Sequence, residues 1–286
     1  MAGSRRFSMK IRMLLGVVLM LSLTACPPKE EKEDRPMTLT EASQAVEEAG
    51  LDGQAASITS NTIEISTSFT LGQAAEKAAE EIRSFVESQL PCAGVTLEGA
   101  KLTVEYGKNP GSCVYRGQTY KGTHTIEVKR TEPGEVEVRH GWLGVSNQRV
   151  KVDGSATVTW SASAKSRRVQ HELIWTRLSD GRTGKGTGDR TQTPLDGGLS
   201  EGIKIEGVRS WTGAKGTWDL AIRGVEARWA DPVPQAGSYT LAAPSGRAMS
   251  LEFTRLDEDT IQVKVSSGKR SFEIKVNAVG QVVGDG

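Results

Sequence analysis

The sequence predicts an α+β fold, mainly antiparallel β: a large twisted sheet or partly open β-barrel with two N-terminal helices packed on it. Three observations lead there. Helical periodicity is confined to the first third of the 286 residues, and period-two alternation dominates from Cys92 onward. The strand patterns also follow one another in hairpin order, without the strand–helix–strand alternation of a parallel sheet. The 32 glycines supply the turns. Charged residues make up 25%, with 36 Lys+Arg against 35 Asp+Glu, a mixed-sign composition unlike a disordered polyelectrolyte. A chain of this length can bury a substantial core. Three cysteines are too few for a disulfide scaffold or a Cys-built zinc domain.

The elements follow in order. Thr38-Leu39-Thr40-Glu41 fits a capping box, Ala42, Ala45, Val46 and Ala49 fall on one helical face, and Gly50 ends that helix. Ile63, Ile65 and Phe69 alternate with polar residues, a strand pattern. Thr70 caps a longer helix whose apolar face is Leu71, Ala74, Ala75, Ala78, Ile82, Phe85 and Val86. Its outer face is acidic (Glu76, Glu80, Glu81, Glu87), and Pro91 stops it. Beyond Cys92 the clearest strand alternates Val150, Val152, Gly154, Ala156, Val158 and Trp160 with polar residues. Ile261, Val263 and Val265 pair with Phe272, Ile274 and Val276 as a hairpin around Ser266-Ser267-Gly268-Lys269. Leu220 and Ile222 are out of phase with Val225, Ala227 and Trp229, and a bulge at Gly224 restores both sets to one face. Gly181, Gly184, Gly186 and Gly188 crowd one stretch that reads as a mobile loop or an irregular hairpin tip. The count comes to about ten to twelve strands. Residues 38–286 thus read as one β-rich domain, helical over 38–91 and antiparallel β over 92–286.

The N-terminus reads as an address. Arg5, Arg6, Lys10 and Arg12 precede the apolar run Met13–Leu23, which is followed by Thr24-Ala25-Cys26. A basic start, a short apolar stretch and small residues make a secretory signal, and the stretch is too short to span a bilayer. Leu23-Thr24-Ala25-Cys26 resembles the lipobox of bacterial lipoproteins. That resemblance implies lipid attachment to Cys26, cleavage of residues 1–25 and acylation of the new amino group. The competing reading is an ordinary secretory signal with an incidental cysteine. Met9 is an alternative start, and Ser4-Arg5-Arg6-Phe7 matches a twin-arginine signal only loosely. Pro27 stands where an inner-membrane retention signal has Asp, so the expected location is the bacterial outer membrane, facing periplasm or exterior. Several acyl chains anchor stably without a spanning helix. Residues 26–37 carry three prolines and a run of charge with almost nothing to bury, and read as a solvated tether.

Charge is uneven along the chain. Residues 26–100 hold 5 bases and 14 acids, residues 139–190 hold 10 bases and 4 acids. The two sections therefore either pack on each other, or the basic one faces an anionic surface. Cys92 and Cys113 remain once Cys26 is acylated, and in an oxidising compartment such a pair forms a bridge. A redox or metal-binding role lacks the Cys-x-x-Cys spacing.

Chemistry is sparse. His124, His140 and His171 are the only histidines, and His171 shares the face of Val169, Leu173 and Trp175, as a core residue does. No His-Glu-x-x-His, Gly-x-Ser-x-Gly or assignable carboxylate pair is present, and no cofactor motif is read. Gly184-Lys185-Gly186-Thr187-Gly188-Asp189 lacks the ending of a phosphate loop and reads as a flexible loop. All six tryptophans lie in residues 142–229. Trp160, Trp175 and Trp229 share a face with Val and Ala and read as core, whereas Trp142, Trp218, Arg167 and Arg168 are the candidate ligand-facing residues. The basic residues from Arg149 to Arg190, Arg167 and Arg190 included, read as pointing away from the tryptophan face. Three functions follow from this. The leading one is a non-catalytic envelope protein that binds a protein partner or supports assembly. The others are a carrier or sensor of a hydrophobic or anionic envelope ligand such as lipid, lipopolysaccharide or wall polymer, and a hydrolase with a dispersed site. Nucleic acid is not an expected partner.

Overall fold

The computed structural model describes residues 35–70, 72–132, 134–229, 231, 233–278 and 280–283. The segment read as a signal (1–25), Cys26 and most of the stretch read as a tether (26–37) lie outside the described residues. Two helices come first, α1 (Leu39–Ile65) and α2 (Ala75–Gln89). Short strands follow: β1 (Gly94–Glu98), β2 (Lys101–Tyr106), β3 (Val114–Tyr115) and β4 (Gln118–Thr119). Long ones come next: β5 (Lys121–Glu132), β6 (Glu135–Ser146), β7 (Val150–Ser161), β8 (Ser166–Arg177) and β9 (Thr183–Leu195). The chain ends with β10 (Gly198–Gly213), β11 (Gly216–Arg228), β12 (Ala236–Ala242), β13 (Ala248–Arg255), β14 (Thr260–Ser267) and β15 (Arg270–Asn277).

Thirteen strands form one antiparallel sheet in the order β1-β2-β5-β6-β7-β8-β9-β10-β11-β12-β13-β14-β15, with β3 and β4 as a separate hairpin. Each strand pairs only with its neighbours in the list, and β1 does not pair with β15, so the sheet stays open. The α+β class and the large sheet with two helices are thus realised. The register also explains the phase break in β11: pairing shifts between Arg223 and Glu226, and Gly224 takes φ +55° there. Leu220, Ile222, Val225 and Trp229 are all buried as a result. The β14–β15 hairpin closes around Gly268-Lys269 with Val265 opposite Phe272.

Three expectations fail for identifiable reasons. The first helix does not end at Gly50 but runs to Ile65, and no strand forms over 63–69. This helix is buried on nearly every side between Ala42 and Ile65, so its tertiary surroundings override the glycine and leave no amphipathic period to read. The second helix begins at Ala75 without a side-chain cap; Thr70 lies outside it, with its N–H donating to Glu81 Oε2 at 2.7 Å. Its buried face is Ala78, Ala79, Ile82 and Val86, and it stops before Pro91 as expected. The glycine-rich stretch is not one loop: Gly181 lies in the turn between β8 and β9 with φ +72°, but Gly184, Gly186 and Gly188 lie in the first half of β9. Gly184 faces Trp175, where a Cβ would come within 2.2 Å of the ring, and at Gly188 it would meet His171 Cε1 at 2.4 Å. Those glycines make room for large rings across the ladder.

Cys92 and Cys113 form a disulfide, with Cα atoms 5.3 Å apart across 21 positions. It ties the segment leaving α2 to the start of β3. Replacing both cysteines by alanine is expected to lower the unfolding free energy by about 3 kcal/mol, the loop-closure contribution for this span. Urea titration under non-reducing conditions measures it, and an unchanged midpoint would refute a stabilising role.

Candidate functional site

The concave face of the sheet is occupied by α1, and the contact between them is charged. Glu64 accepts from Arg167 Nη1 at 2.9 Å, and both side chains are nearly inaccessible. Arg116 approaches the other Glu64 oxygen at 3.8 Å. Asp52 meets Arg209 Nη1 at 2.6 Å, and Glu48 pairs with Arg182. Polar groups continue the contact: Trp142 Nε1 donates to Thr62 Oγ1 at 2.9 Å, and Asn61 Nδ2 donates to the Trp229 carbonyl at 2.9 Å. The acidic front section of the chain does pack on the basic middle section. A buried charge is tolerated only with a partner, and these acids of α1 are the partners.

Arg190 stands apart. It is 2% exposed, and no carboxylate among the described residues lies within 4 Å of it. Its Nη2 faces His171 Nδ1 at 3.3 Å, and its Nε is buried without a hydrogen-bond partner. Burial, then the charge of Arg209, pulls its pKa down to about 9. Arg190 and Arg209 line a cavity of about 40 Å³ with Ser57, Ser60, Asn61 and Tyr239. That is room for a water or two. A neighbouring apolar cavity by Val46 and Phe253 is about 20 Å³.

The histidines form a second buried network. Tyr106 Oη shares a hydrogen bond with His124 Nδ1 at 3.1 Å, and His124 Nε2 shares one with His140 Nδ1 at 3.0 Å. Both imidazoles stack near Trp142, with centroids at 5.7 and 5.8 Å. Burial pushes His124 down to about 3 and holds His140 well below its ordinary 6.5. Among the described residues no group of three His, Cys, Asp or Glu is placed to hold a metal ion.

The four candidate ligand-facing residues are not brought together. Trp142 is 4% exposed under α1, Trp218 is 2% exposed and stacks on Trp211 at 6.3 Å, and Arg167 points inward to Glu64. Only Arg168 faces out, and there Asp189 holds it at 2.8 Å. Arg167 and Arg190 therefore correct the outward reading of the basic stretch. Arg167 shares the parity of Val169, Leu173 and Trp175, a signal already present in β8. Glu48 and Asp52, one helical turn apart in an apolar run, were the matching signal in α1. Arg209, alternating with Trp211 on β10, is the residue that sequence reasoning missed altogether.

The roomy spaces found among the described residues are open grooves, of about 920, 780 and 570 Å³. The groove of about 920 Å³ lies beside the start of α1, lined by Ser43, Gln44, Glu47, Arg149, Leu178 and Lys215 among others. No protein-family model, no curated protein and no solved structure matches this chain.

Proposed function

We propose that this protein is a non-catalytic, lipid-anchored component of a bacterial envelope that works through its outer surface, binding an envelope partner or supporting assembly. The observation that carries the reading is the filled concave face. A lipid carrier needs a cavity of several hundred Å³. Here α1 occupies that space with buried ion pairs, and the internal cavities are about 40 and 20 Å³. Of the histidines, the usual acid–base residues, His124 has both ring nitrogens in buried hydrogen bonds, and His140 and His171 are each engaged through Nδ1. The lipobox resemblance at Leu23–Cys26 supports the anchor, and Pro27 supports the outer membrane as its location.

The test begins with native protein taken from membranes. Mass spectrometry is expected to find the mature N-terminus at an acylated Cys26, and solvent extraction no further stoichiometric lipid. Photo-crosslinkers at exposed positions such as Gln148 or Asp196 are expected to capture one envelope protein of defined mass. One noncovalent lipid per chain would instead favour the carrier, and an unprocessed N-terminus would remove the anchor.

A further inference from the structure

In a meander of consecutive antiparallel strands, alternate turns lie on opposite rims of the sheet. The turns after β6, β8, β10, β12 and β14 share one rim: Leu178 N–H bonds to the Arg149 carbonyl, and Gly216 lies against Pro244. This rim is basic. Arg149, Lys215, Lys269 and Arg270 are exposed there, with no carboxylate within 4 Å among the described residues. The acids nearby are already engaged, Glu47 by Arg177 and Arg182, and Glu41 by Arg35. The opposite rim exposes Glu98, Asp196, Asp257, Glu258 and Asp259, interrupted by Lys101, Lys165 and Arg228.

The N-terminal chain arrives at the basic rim. Arg247, in the turn after β12, donates to the Arg35 carbonyl at 3.0 Å, and Leu39, opening α1, lines the groove with Arg149 and Lys215. From Cys26 to Met37, even a fully extended chain reaches only about 40 Å. Leu39 and Leu178 add exposed apolar side chains at 44% and 47%. We infer that the basic rim is a membrane-facing surface that rests on anionic phospholipid headgroups, with the acidic rim turned to the aqueous side. The inference rests on the lipid anchor proposed above. Opposite charges within a Debye length of about 10 Å attract, and the four free cations are the groups that make that contact.

The experiment uses the native lipid-bearing protein on vesicles of phosphatidylcholine with or without phosphatidylglycerol. One fluorophore is placed by Ser179→Cys on the basic rim or by Ser200→Cys near the acidic rim, with an acceptor on the lipid headgroups. Flotation of the vesicles reports the anchor, and energy transfer reports the rim. With phosphatidylglycerol, transfer is expected to be greater from position 179 than from position 200. The difference is expected to be lost in the combined variant Arg149→Glu, Lys215→Glu, Lys269→Glu, Arg270→Glu while flotation persists. Equal transfer from both positions with flotation intact overturns the rim assignment, as does a difference that survives charge reversal. Failure of the unmodified protein to float overturns the anchor, and the orientation with it.

Discussion

Glu64→Ala is expected to destabilise the protein by about 3–5 kcal/mol, the cost of leaving a buried guanidinium without its counter-charge. Arg167 is 2% exposed, and its remaining contacts are the Gln192 side chain at 2.6 Å and the Trp160 ring at 4.9 Å, neither of which carries a negative charge. A typical domain has only about 5–15 kcal/mol in hand, so this one change removes a large share. Removing both charges together is different. Glu64→Leu with Arg167→Met replaces the pair by apolar groups of similar length, and the double variant is expected to recover most of the loss. Urea unfolding of the wild type, both single variants and the double variant completes the cycle. A single-variant loss under 1 kcal/mol would mean that water reaches the pair and that α1 is less firmly enclosed than described.

Acid is expected to unfold the protein well above the ordinary carboxylate range. Burial, then the charge of Arg190, takes His171 down to about 2; burial takes His124 to about 3 and holds His140 low as well. Above pH 6.5 each is neutral in both the folded and the unfolded chain, and the stability they permit is fully present. Below 6.5 the unfolded chain takes up protons that the folded one refuses, so stability falls until the pH passes through the folded values near 3 and 2. Each site contributes a slope of up to about 1.4 kcal/mol per pH unit, so the three together reach about 4 kcal/mol per unit. Urea midpoints at pH 7.5, 6.5, 5.5 and 5.0 measure the decline. His171→Gln keeps an acceptor for Arg190 and is expected to reduce the slope by about a third. A flat profile between pH 7 and 5 would show that the imidazoles protonate within the fold.

The sheet was legible because its signals are local. Period-two alternation in β7 and β14, the turn at Gly268-Lys269 and the phase break at Gly224 can each be read within a dozen residues. What lay hidden depends on partners far away in the chain. Nothing near Ile63 or Ile65 reveals that β-sheet surrounds them, so an enclosed helix is read as helix, stop and strand. Glu64 and Arg167 are 103 positions apart, and each alone resembles a surface residue. Gly184 and Gly188 read as flexible until the rings of Trp175 and His171 are seen across the ladder. The ligand-facing guess for Trp142 and Trp218 failed for the same reason: aromatic residues on a strand face look alike whether solvent or a helix lies beyond.

The enclosed helix also bears on the order of assembly. Synthesis delivers the N-terminus first, so α1 emerges long before the segments that will surround it. Its contacts with Arg167 and the Trp229 carbonyl span 103 and 168 positions. Hairpins can zip one onto the next as they appear, but the spool on which they must wind stays bare until β8 to β11 have crossed. Such distant closures are slow. A chain cut short after β8 would keep its early hairpins yet leave Asp52 with no arginine to meet, which makes the late strands a checkpoint on complete synthesis.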